Sequence, residues 1–143
     1  AHDLPDLRVR LRVPAAWRFE IQETGGPPSA ILTNFEIAGT QGGAPLTEDH
    51  IEIRFTLFPS SRSVLASEWL TRTRQLERNY MQVERATVGH RLAARIRPLF
   101  TPCSEEWRIL LDVAELRIHR RPASSAWDAV FDRILDSVVI TDS

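Results

Sequence analysis

The sequence predicts an α+β domain, with a central antiparallel sheet of about six to eight strands carrying two main helices. Three observations lead there. Several short runs alternate apolar and polar residues, as strands with one buried face do. Only two stretches carry the apolar stripe of an amphipathic helix, and they stand far apart in the chain. No βα unit repeats, which sets aside doubly wound parallel sheets and parallel barrels.

The first strand is expected over residues 7–13, where Leu7, Val9, Leu11 and Val13 alternate with Arg8, Arg10 and Arg12. Pro14 ends it, and Trp17, Phe19 and Ile21 begin a second. After the loop TGGPPS, residues 30–37 give a third strand, with Ile31, Thr33, Phe35 and Ile37 on one face. A turn-rich segment, 38–49, leads into HIEIRFTLF at 50–58, whose Ile51, Ile53, Phe55 and Leu57 share a face. Ser61 or Ser63 is placed to cap the helix that follows. Its stripe runs Leu65, Trp69, Thr73, Leu76, Tyr80, over roughly 16 residues.

VERATV and RLAARIR then flank Gly89 as two short strands, and LFTPCSEE is a loop. WRILLDV, 107–113, is an apolar strand, and LRIHR, 116–120, either continues it or turns back beside it. Pro122 stops the sheet, and Ser124 or Ser125 caps a closing helix. Trp127, Val130, Phe131, Ile134, Leu135 and Val138 form its stripe before a last strand, Val138 to Thr141.

The 143 residues suit a single domain spanning 1–143. An apolar fraction of 43% with 26% charged residues sets aside intrinsic disorder. No stretch reads as a membrane span, a signal peptide or a lipobox. One cysteine excludes an internal disulfide and a thiolate zinc cluster. All 18 basic residues are arginine, yet the net charge is -1. Without a basic excess, nucleic acid is a disfavoured partner. The arginine bias fits either a GC-rich genome or selection for bidentate anion contacts.

Several segments together resemble the PsbP-like family. RLRVPAAWRFEI is similar to its opening strand, proline and tryptophan, with Val13 where the family has tyrosine. ILTNF, a glycine-rich loop and HIEIRFTLF follow, and SVLASEWL resembles the Ser-Leu-x-x-Trp-Leu helix of bacterial relatives. TVGHRLAARI and FDRILDSVVI resemble the family's later hairpin and closing helix and strand. The resemblance implies an α/β/α sandwich and a protein that binds proteins without catalysis. Relatives include bacterial PsbP-like and DcrB-like lipoproteins, a photosystem extrinsic protein and a Ran-binding import factor. The Eag chaperones of type VI secretion are more distant. The family has no shared catalytic motif, so no residue is carried over as a site.

Read for chemistry, His2, His50, His90 and His119 show no zinc-binding spacing. Glu48, Asp49 and His50 suit a polar loop better than a metal site. Cys103 lies beside Glu105 and Glu106, which oppose thiolate formation. No nucleophile elbow, phosphate loop or dinucleotide motif occurs. Asp112 and Glu115 are the nearest approach to an acid–base pair.

The candidate binding residues are Arg8, Arg10 and Arg12 on one strand face, Arg117 and Arg121 on a late strand, and Trp107, expected to be partly exposed at a strand start and so a candidate anchor. Cross-strand pairing with Glu20, Glu36 or Glu52 is the structural alternative for the arginines. Trp17, Trp69 and Trp127 are expected in the core.

These readings converge on a non-enzymatic protein-binding or adaptor domain with no cofactor. It would be the globular part of a cell-envelope lipoprotein, extracytoplasmic, with a protein partner and a homodimer as one assembly. The alternatives are a cytoplasmic Eag-like chaperone for a secreted effector, and a small hydrolase using Asp112, Glu115 or a histidine.

Overall fold

The computed structural model describes residues 2–22, 25–34, 50–60, 62–100, 104–123 and 125–141. Along the chain lie β1 (His2–Leu4), β2 (Val9–Leu11), β3 (Arg18–Gln22), β4 (Ser29–Thr33), β5 (Glu52–Pro59), α1 (Ala66–Arg74), β6 (Met81–Val88), β7 (Arg91–Pro98), β8 (Glu105–Leu111), β9 (Ala114–Arg121), α2 (Asp128–Asp136) and β10 (Val139–Ile140). The strands form a seven-stranded sheet, ordered β3-β4-β5-β9-β8-β7-β6, and a three-stranded sheet, β1-β2-β10. Every pairing is antiparallel. The α+β architecture expected from the alternating runs is therefore observed.

Strand alternation divides the large sheet into two faces. One carries Leu32, Ile53, Phe55, Leu116, Ile118 and Ile109, and is covered by α2 and the small sheet. α2 contributes Phe131, Ile134 and Leu135, and the small sheet contributes Val9 and Leu11. On the opposite face α1 lays Trp69 over Val83, Ala94 and Ile96 of β6 and β7. The layer on the first face is thus a helix and a small sheet together, where the resemblance implied helix alone.

Several local expectations need correction. The run 7–13 is not one strand. Pro5–Leu7 wind a 3-10 turn and Arg8 takes a left-handed conformation, so only Val9–Leu11 pair. β1, which the sequence did not suggest, pairs along β2. In β4 the residues facing the main core are Ala30 and Leu32, while Ile31 and Thr33 are buried on the other face. The strand is enclosed on both sides, so its composition is apolar at every phase. Phe35, Ile37, the 38–49 segment and Cys103 lie outside the described residues.

α1 is shorter than its stripe. After Arg74 it tightens into a 3-10 turn, Gln75–Asn79, and stops at the left-handed Tyr80. Its apolar seat on β6 and β7 is narrow, so Leu65 and Tyr80 overhang it, 73% and 67% exposed. No serine caps it; Ser63 Oγ donates instead to Asp112 Oδ1 at 2.8 Å. α2 follows its predicted stripe, with Phe131, Ile134, Leu135 and Val138 buried. Of the two readings of 107–120, the strands turn back: Leu111 pairs Ala114 across Asp112 and Val113.

Candidate binding groove

The bend after β2 begins the site. Trp17 N–H donates to Pro14 O at 3.3 Å, closing a turn in which Ala16 holds φ of 72°. A non-glycine residue there costs about 1–2 kcal/mol, and the turn brings Trp17 over the start of β3. From the other side α2 presents Val130 and Ile134, with Trp127 just before it. The rings of Trp17 and Trp127 meet edge to face, 6.1 Å apart at 75°.

Ser137, at the helix end, ties the two walls together. Its Oγ accepts from Arg12 N–H at 2.8 Å and lies 2.7 Å from Ile134 O, to which it donates. Between the walls runs an open groove of about 700 Å³, lined by Val13, Pro14, Trp17, Trp127, Val130 and Ile134 and edged by Arg12, Arg133, Asp136 and Ser137. Arg133 is one helical turn before Ser137, so both arginines stand at the same end of α2, about one turn apart. Among the described residues neither guanidinium has an ion-pair or hydrogen-bond partner.

A second cavity, about 770 Å³, lies on the other flank of α2 between Asp132, Asp136, His90, Arg91 and Trp107. There two carboxylates stand against a single arginine.

The candidate residues do not converge on one place. Arg12 alone edges the groove. Arg8 leaves the strand and donates from Nη1 to Asp112 O at 2.8 Å, and Arg10 stands 3.7 Å from Asp3. The predicted stripe of three is therefore broken by the left-handed turn at Arg8. Arg117 and Arg121 point to the α1 face of the large sheet, because Leu116, Ile118 and Arg120 take the core face. Arg117 pairs with Glu115 at 3.0 Å and stacks on Phe58. Arg121 grips Glu52 at 2.6 Å, as the cross-strand alternative anticipated. Trp107 is half-buried on the core face and edges the second cavity. Its Nε1 donates to Glu105 Oε1 at 3.1 Å, and it also packs near Phe131.

Sequence reasoning missed Arg120 and Glu105, both buried on the core face. Glu105 gathers Arg95 at 2.9 Å and Arg120 at 2.9 Å, and Arg120 also reaches Asp128. Arg120 Nε is near Glu105 Oε1 but not aimed at it, so this contact is an ion pair and not a directed hydrogen bond. A signal was present: both residues sit in phase with apolar stripes.

The acid–base candidates do not converge. Asp112 is in the β8–β9 turn, held by Ser63, while Glu115 accepts from Trp69 Nε1 and Arg117 Nε. His119 stands between Arg54 and Glu106 across the sheet, and burial pushes its pKa below the ordinary value despite Glu106 and Glu52 nearby. Among the described residues no group of His, Cys, Asp and Glu could hold a metal, and Glu48 and Asp49 lie outside them. No helix among the described residues is long and apolar enough to cross a membrane.

Compared with known proteins, the chain matches no family model and no curated protein. In fold it is similar to a crystal structure from Bacteroides thetaiotaomicron VPI-5482, with a TM-score of 0.54 and 12% identity. Shared is the fold alone. The likeness covers 95% of this chain and 46% of the other, so the chain spans less than half of that protein's length.

Proposed function

We propose that the chain is a non-enzymatic protein-binding or adaptor domain whose docking site is the Trp17–Trp127 groove. The observation that carries this is the groove itself: an apolar trough lined by two half-buried tryptophans. Large aromatic rings at a partly open concavity are what protein interfaces use as anchors. On the large sheet, by contrast, Arg95, Arg97, Arg108, Arg117 and Arg121 are each taken up by a carboxylate of the fold.

The PsbP-like resemblance supports the same reading and brings an envelope lipoprotein setting with it. The Eag-like alternative draws on the groove equally, since such a chaperone receives an apolar effector segment. A signal sequence with a lipidated cysteine favours the first setting, and retention in the cytoplasm the second.

The test is selection of displayed random peptides on the intact chain, with counter-selection on Trp17→Ala after its folding is checked by circular dichroism. Enrichment of clones that bind the parent and not the variant supports the reading. Clones indifferent to Trp17, or turnover of a hydrolase substrate panel that Asp112→Asn abolishes, overturn it.

A further inference from the structure

Among the described residues most arginines are engaged, on carboxylates, carbonyls or rings. Arg12 and Arg133 are two of the few that are not, and both edge one groove. Both are exposed, so neither is compensated by burial among dipoles. Asp136 is the one carboxylate in the lining. The groove is thus net positive at neutral pH on a chain whose sum is -1. Its floor, by contrast, is wholly apolar: Val13, Pro14, Trp17, Trp127, Val130 and Ile134.

We infer that the groove takes an acidic peptide segment, in which one or two bulky apolar side chains pack against the Trp17–Trp127 pair while flanking carboxylates meet Arg12 and Arg133. This rests on the binding reading above and adds the chemistry of the partner. The charges select because each guanidinium offers a planar fork with no ion-pair partner among the described residues. The apolar floor supplies the anchor, since a carboxylate alone would gain little from exposed arginines. An open groove suits a peptide better than a fatty acid, whose tail needs an enclosed slot to leave water.

Short synthetic peptides sharing a Leu-Phe centre, flanked by Asp and Glu, by Ser, or by Arg, are titrated against the intact chain by tryptophan fluorescence and calorimetry. The acid-flanked peptide should bind at least about tenfold more tightly than the Arg-flanked one, a preference that shrinks as salt is raised. The R12Q/R133Q variant, which removes no side-chain ion pair or hydrogen bond among the described residues, should lower the acid-flanked affinity to that of the Ser-flanked peptide. Equal binding of all three peptides, lost in Trp17→Ala, overturns the acidic preference and leaves the binding reading standing. An unchanged preference in R12Q/R133Q places the selectivity elsewhere and also overturns it. Sodium laurate binding where no peptide does overturns the inference in favour of a small amphiphile. The display selection then decides on the binding reading separately.

Discussion

Arg120 and Glu105 stand opposite each other on β9 and β8, Nε 2.9 Å from Oε1, at 1% and 2% exposure inside the core face. Phe131 of α2 lies under the guanidinium, 4.6 Å from ring centroid to Cζ. Removing one member of a buried ion pair leaves the other charge uncompensated, a loss of about 3–5 kcal/mol. Arg120→Met and Glu105→Gln are each expected at the low end of that range by urea denaturation, because Glu105 keeps Arg95 and Arg120 keeps Asp128. The double variant should lose clearly less than the sum, because no lone charge is left between these two positions. Additive losses would show that the pair is not coupled.

The helix tryptophans should separate. Trp69 is buried and its Nε1 donates to Glu115 at 3.2 Å, whereas Trp127 is half-open on the groove. Trp69→Ala is expected to cost about 3–5 kcal/mol. Trp69→Phe should lose about 1.5–3 kcal/mol of this, the size of a hydrogen bond to a charged group. Trp127→Ala should cost less than Trp69→Ala, while weakening peptide binding. Equal thermal shifts for the two alanine variants would contradict the placement of Trp127.

Stability should fall on mild acidification. Burial holds the His119 pKa below the ordinary 6.5, with Arg54 and Arg121 adding to the effect and Glu106 and Glu52 opposing it. The unfolded chain therefore takes up this proton first. The contribution is complete above about pH 6.5 and is lost as pH drops from there to the folded pKa. Comparing denaturation midpoints at pH 7.5 and pH 5.5, the drop should be smaller in His119→Gln than in the parent. A drop of the same size would assign it to other groups.

Val113 holds φ of 55° in the β8–β9 turn, a left-handed conformation that a β-branched residue resists. Three hydrogen bonds from two segments clamp the turn: Ser60 N–H donates to Val113 O and Ser63 to the Asp112 carboxylate, both from the link before α1, and Arg8 donates to Asp112 O. Val113→Gly or Val113→Asn should relieve the strain and raise stability by about 1 kcal/mol, read as a higher urea midpoint with unchanged slope. Gly89→Ala should do the reverse, since its φ is 56° and a Cβ would stand 3.2 Å from Val138 O and from Ile140 Cγ1.

What the sequence made legible followed from period. β5 and α2 carry regular stripes and were found close to their observed limits, and β6 and β7 were placed by the turn at Gly89 between them. Where period was interrupted by backbone conformation, it misled: the positive φ at Arg8 severs a run that alternates without fault on paper. β4 misled differently, because a strand buried on both faces has no phase to read. At the site, Arg12 was visible but in the wrong company. Its grouping with Arg8 and Arg10 came from spacing along a strand. Its real neighbours, Trp17, Trp127 and Arg133, are set by a turn and by a helix far along the chain. Arg120 and Glu105 were legible in principle, as charges at core phases, since interior charges are rare unless paired.

The large sheet is two meanders, β3-β4-β5 and β6-β7-β8-β9, joined along one seam between β5 and β9. Within each meander neighbouring strands are close in sequence, apart from the longer step into β5. Across the seam, Glu52 meets Arg121 from 69 residues away. Local hairpins close quickly, while a pairing of such separation must first overcome the entropy of a long loop. The seam therefore governs the pace of assembly. β10 pairing on β2 latches the same two halves of the chain a second time. A backbone cut between Pro59 and Ala66 would sever neither junction, and the two fragments retain complementary edges through which to find each other again.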